Sequence, residues 1–129
     1  MINCYIAPFT SSMAKNIPQS YWDAIIRFLI EKDCKIYIIK DKNQPDIPYT
    51  QPINNPDWDK MVEIYKNCHM FISLDTAFIH QVVYLMKHYN KLKMEDTPRG
   101  IVIYTQSSPF LFGYTNEKNI KNIFNERGM

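Results

Sequence analysis

Two short segments carry residue types that can hold an anion. The first is Thr10-Ser11-Ser12-Met13-Ala14-Lys15. Three hydroxyls and an ammonium group on one polar loop offer the charged and neutral donors that a phosphate accepts. The same composition also describes an ordinary solvated loop. The second is Asp75-Thr76-Ala77-Phe78-Ile79-His80. There Asp75 closes an apolar run, and Thr76 and Ala77 open a helical pattern. The free N–H groups of a helix start, together with its dipole, attract a phosphate. His80 lies one turn in and can reach the same ligand. In the plainer reading Asp75 caps the helix and His80 is a surface histidine.

Other chemistries lose their main signals. The chain has three glycines, Gly100, Gly113 and Gly128. Neither a G-x-G-x-x-G fingerprint nor a P-loop can therefore be written. H-E-x-x-H, G-x-S-x-G and Cys/His metal spacings are also missing from the sequence, so no metal, cofactor or catalytic residue is assigned.

The elements that must position these two segments alternate along the chain. Ile2 to Pro8 reads as a first strand, and Pro18 opens a helix. Trp22, Ile25, Ile26, Leu29 and Ile30 give that helix a broad apolar face. Lys35 to Lys40 is a second strand. Asp41 to Asn55 is a Pro-rich connection, with an edge strand near Tyr49 to Ile53. Asn55-Pro56 reads as a helix start, followed by an apolar face of Trp58, Met61, Val62 and Tyr65. His69 to Leu74 is a strand. Thr76 to Asn90 is a helix with Phe78, Val82, Leu85, Met86 and Tyr89 on one side. Gly100 to Tyr104 is a strand, Thr105 to Tyr114 a loop, and Asn116 to Asn125 a polar helix. Trp22 and Trp58 are assigned to core faces, and His69 and His88 to structural or solvated roles. Phe110, Phe112 and Tyr114 could close over a base, or cover an exposed edge or a partner.

The expected fold class is α/β: a doubly wound, mainly parallel sheet of four to five strands flanked by helices, in one domain over residues 1–129. Ligands of such sheets bind beyond the carboxyl ends of the strands. The loops to inspect are therefore 9–17, 40–46, 75–80 and 105–114. The strands before the two anion-type segments should be neighbours across the switch point, so that both loops face one crevice.

Composition narrows the partners. Hydrophobic residues make up 46% and the net charge is +2 with scattered lysines, which gives no basic stripe for nucleic acid. Cys4, Cys34 and Cys68 are odd in number and far apart, as expected of a reducing compartment. No apolar run reaches the roughly 20 residues that span a bilayer, and the N-terminus reads as a strand rather than a signal segment. A cytoplasmic location follows as an expectation. Richness in Ile, Lys, Asn and Tyr fits a microbial or viral source with A/T-rich coding DNA.

Three stretches in order resemble the C-terminal half of the ADP-heptose:lipopolysaccharide heptosyltransferase family, glycosyltransferase family 9, of B-type fold. They are T-S-S-M-A-K-N-I-P (Thr10 to Pro18), M-F-I-S-L-D-T-A-F-I-H (Met70 to His80) and I-V-I-Y-T-Q-S-S-P-F-L-F-G-Y (Ile101 to Tyr114). The resemblance implies a Rossmann-like donor-binding unit. In it Thr10, Ser11 and Lys15, with Ser12 in the same loop, would hold a diphosphate. Thr76, Ala77 and Phe78 would present helix-start amides. Asp75 and His80 would face the sugar or phosphates, and Lys40 and Asp41 would lie toward the nucleoside. Ala77 departs from the glycine usual after Asp-Ser/Thr, and Lys40-Asp41-Lys42 from a glycine-rich turn. The match spans one half of such an enzyme, without the acceptor-binding half.

Three functions fit these observations. One is a stand-alone protein that binds a nucleotide or nucleotide sugar, for sequestration or sensing. Another is a glycosyltransferase completed by a separate acceptor-binding chain or by homo-oligomerisation. The third is a non-catalytic interaction domain. No cofactor, nucleic acid or membrane partner is expected in any of them.

Overall fold

A computed structural model describes residues 2–9, 17–74, 76–89, 98–104 and 119–124. The element order is β1 (Ile2–Ala7), α1 (Gln19–Glu31), β2 (Cys34–Lys40), β3 (Gln51–Asn54), α2 (Trp58–Asn67), β4 (Met70–Leu74), α3 (Ala77–Tyr89), β5 (Arg99–Tyr104) and β6 (Ile120–Phe124). The six strands form one sheet in the order β3-β2-β1-β4-β5-β6. Every neighbouring pair is parallel. The chain is thus an α/β fold with an all-parallel sheet flanked, among the described residues, by three helices.

Alternation along each strand sorts side chains to two faces. Tyr5, Ala7, Phe71 and Val102 face α2 and α3, where they join Met61, Ile64, Phe78, Val82 and Leu85. Cys4, Ile6, Ile36, Ile38, Ile72 and Leu74 face α1, where they meet Trp22, Ile26 and Leu29. Burial on both faces explains why the strands read as apolar runs rather than alternating ones.

Gly100 sits beside Phe71 in the β4–β5 register. A Cβ at that position would overlap the Phe71 ring, so the glycine makes room for a fully buried aromatic side chain.

The structure corrects several sequence expectations. The sheet has six strands, not four to five: Gln51–Asn54 is the edge strand expected near Tyr49 to Ile53, paired with β2, and Ile120–Phe124 adds a further strand beside β5. Residues 120–124, read as part of a polar helix, are a strand. Ile120, Ile123 and Phe124 are good strand formers, and Gly100 N–H donates to the Asn119 carbonyl (2.9 Å) to start the pairing. The start of α2 is not Asn55-Pro56. Asp57 caps it, its carboxylate accepting from Lys60 N–H at 2.8 Å. Asn55 instead takes a left-handed φ of 45°, which asparagine tolerates.

Trp58, expected in the core, is 44% exposed and packs edge-on against Tyr84 at 5.6 Å. It stands at the first residue of α2, before the helix turns its apolar face onto the sheet. Ile30, likewise placed on the core face of α1, is 41% exposed. His69 is structural: its Nδ1 accepts from the Asn3 N–H at 3.0 Å.

Candidate functional site

β1 and β4 are adjacent, with the chain leaving β1 toward β2 on one side and β4 toward β5 on the other. That is the switch point of a doubly wound sheet, where a crevice opens beyond the strand ends. A cavity of about 490 Å³ lies there. Ala7 and Phe9 line it from the end of β1. Ile39, Lys40 and Asp41 line it from the end of β2, and Thr76, Phe78 and Gln81 from the start of α3. Gln44, Asn55, Pro56 and Met61 complete the wall.

Of the residues singled out from sequence, Thr76, Phe78, Lys40 and Asp41 come together in this cavity. Thr10, Ser11, Ser12, Lys15 and Asp75 lie outside the described residues, as does the whole loop from Thr105 to Tyr114. Ala77 begins α3. His80 is an exposed residue of α3 and is not part of the cavity's described wall. Phe78 is buried and meets Phe71 in a T-shaped contact at 6.4 Å.

Lys40 is 6% exposed, and its ammonium is engaged within the chain. It donates to the Gln44 carbonyl at 2.7 Å and pairs with Asp46 at 3.0 Å. The turn after β2 is closed by further bonds. Asp41 N–H donates to Gln44 Oε1 and Lys42 N–H to Asn55 Oδ1, both at 2.7 Å, and Asn55 N–H donates to the Lys40 carbonyl at 2.8 Å. Lys40 thus anchors the connection. The described wall then offers neutral amides (Gln44, Asn55, Gln81), the Thr76 hydroxyl, the Asp41 carboxylate and apolar surface.

At its other end α3 has no acidic residue in its first turn. Its leading amides and positive dipole end lie next to Thr76, at the cavity. The arrangement suits a ligand with a neutral hydrogen-bonding part on the β2 side and negative charge on the α3 side.

Sequence reasoning missed Gln44, Asn55, Pro56 and Gln81. Asn55 carried a signal: an Asn before Pro in a loop can hold a left-handed turn and bond backbone with its side chain. Among the described residues no group of three or more His, Cys, Asp or Glu could hold a metal ion. No helix among them is long and apolar enough to cross a membrane.

Fold and crevice define a class, a Rossmann-like α/β unit with an all-parallel sheet and a switch-point cavity. No family model matches the sequence, and no curated protein matches it either. Among solved structures the chain is similar to the E. coli heptosyltransferase WaaC with ADP, at a TM-score of 0.75 and 15% identity. The likeness covers 98% of this chain and 38% of that one, so this chain spans well under half of that protein's length. At this identity what is shared is the fold.

Proposed function

We propose that the chain binds a nucleoside diphosphate or a nucleotide sugar in the cavity at the β1/β4 switch point. The observation that carries this reading is the cavity itself, joining the Lys40–Asp41 turn to the start of α3. The fold shared with a heptosyltransferase solved with ADP supports it.

In this reading the α3 amides of Ala77 and Phe78 and the Thr76 hydroxyl face the phosphates. The Thr10, Ser11, Ser12 and Lys15 loop closes on the same charge, with Asp75 and His80 toward the sugar. The Asp41 carboxylate and the Asn55 and Gln81 amides address the nucleoside. A lone unit can bind in this way. Efficient glycosyl transfer needs a second wall to exclude water and orient the acceptor.

Calorimetry and thermal shift with ADP, UDP, GDP and their sugars test the proposal. At 100 times Kd a true ligand stabilises the fold by about 2.7 kcal/mol. Lys15→Ala should weaken a diphosphate by about 1.5–3 kcal/mol, as for hydrogen bonds to charged groups. A folded protein that shifts with none of these nucleotides is an interaction domain instead. Turnover of a donor sugar on adding an acceptor-binding chain would make it half of an enzyme.

A further inference from the structure

β2 and β3 are parallel neighbours, yet residues 41–50 between them contain no helix. A parallel connection has to return along the sheet, and a helix usually does this while covering the strands it passes. Here a non-helical segment makes the return. Ile47 is buried in the α1-side core, Lys40 ties down Asp46, and the Thr50 hydroxyl donates to the Ile47 carbonyl at 2.6 Å. The connection is fixed, but it is thinner than a helix.

Beside α1 it leaves a groove of about 470 Å³, walled by Ile26 and Ile30 on one side and by Ile47 and Pro48 on the other. Tyr49 stands at the rim. It is 86% exposed and holds a left-handed φ of 67°. The left-handed region is unfavourable for a non-glycine residue, and the exposed ring gains little burial within the chain to offset it. An aromatic knob and an apolar groove therefore share one patch. A two-fold axis through such a patch sets the knob of each copy against the groove of the other, since an isologous interface uses the same surface twice.

Charge along α1 limits the register. Asp23, Arg27 and Glu31 follow one another at four-residue intervals on the groove side, with alternating sign. Arg27 takes part in none of the ion pairs among the described residues. With the axis passing between Asp23 and Arg27, each Asp23 meets the Arg27 of the other copy. An axis through Arg27 would oppose like charges, and one between Arg27 and Glu31 would leave Asp23 outside the reciprocal pairs, which the Asp23→Arg variant distinguishes. We propose that this face binds a second copy of the chain. The Tyr49 ring of each copy enters the other's groove, flanked by two reciprocal Asp23–Arg27 pairs.

Sedimentation velocity tests this. The parent chain should run as a monomer at about 5 µM and as a dimer at about 500 µM, as fits a modest interface. Tyr49→Ser should weaken association at least about tenfold. Arg27→Asp alone and Asp23→Arg alone should each stay monomeric, while an equimolar mixture of the two should dimerise, because only the mixture pairs opposite charges twice. These side chains are exposed in the monomer, so circular dichroism should be unchanged in every variant. A parent that is monomeric throughout overturns the proposal. So does a dimer that survives these substitutions, or a mixture that fails to associate.

Discussion

The two faces of the sheet are closed by different means. On one, α2 and α3 lie side by side over Tyr5, Ala7, Phe71 and Val102, and the cluster they bury is apolar. On the other, among the described residues, α1 alone covers β1 and β2, and the β2–β3 connection runs past without a helix. There a lysine is buried to hold the loop, and a groove remains. A crossover helix satisfies its own backbone and brings its own apolar stripe. A bare connection must obtain both from single side chains, and here Lys40 and Asn55 beside it and Gln44 and Ile47 within it supply them.

The sharpest way to break this contrast is at the tight face. Phe71→Ala should cost about 3–5 kcal/mol in urea unfolding, the range for emptying a buried aromatic site. Gly100→Ala should cost about 1–3 kcal/mol by overpacking, because its Cβ enters the Phe71 ring. Combined with Phe71→Ala, however, Gly100→Ala should cost much less. Additive losses in that cycle would show that the two positions do not share space.

At the looser face, Lys40→Met should destabilise by about 1–3 kcal/mol, since the Gln44 carbonyl and Asp46 lose their donor. If the parent binds a nucleotide as proposed, the folded variant should bind it equally well, because the ammonium is already engaged. A lost nucleotide response with full stability would assign Lys40 to the ligand instead.

The smallest effect compares neighbouring residues on opposite faces. Burial is the main reason the Cys4 thiol is pushed from 9.0 to about 12, with Cys34 adding to it. Burial also pushes the Tyr5 hydroxyl from 10.0 to about 12, helped by Tyr37, Cys68 and Glu63. Above pH 9 the unfolded chain loses these protons first, so the native state binds more of them and stability falls as pH rises. Full stability from these groups is present below pH 9 and is lost progressively toward pH 12. Urea midpoints taken between pH 8 and 11 should decline. Cys4→Ala should flatten the decline from about pH 9, and Tyr5→Phe only from about pH 10. A decline untouched by either substitution would place the titrating groups elsewhere.

Much of the fold was legible. Apolar runs ending at Pro8, Lys40, Leu74 and Tyr104, separated by helical periodicity, pointed to a parallel doubly wound sheet. The adjacency of β1 and β4 followed from that topology. β6 was not legible, because its Asn-rich surroundings look helical or polar in isolation and only pairing with β5 selects a strand. Trp58 was misplaced because helical spacing shows which residues share a face, but not where the helix begins to touch the sheet. In the site, Lys40 and Asp41 were found at the end of a strand, and Thr76 and Phe78 at the start of a helix. Gln44, Asn55 and Gln81 were not, because a neutral amide carries no distinctive spacing, whether in a loop (Gln44, Asn55) or on a helix (Gln81).

By itself the sequence determined the class of fold and the end of the sheet where a ligand can sit. Hydrophobic periodicity is local, and the rule placing ligands at strand ends needs only strand order. Tertiary structure decided which polar groups remain open to a ligand. Lys40 and Asp41 are consecutive and equally polar on paper. Packing buries the lysine's ammonium against Gln44 and Asp46 and leaves Asp41 exposed at the cavity. A charged side chain satisfies its hydrogen bonds with the nearest suitable partner, and the partner is fixed only once the chain has folded.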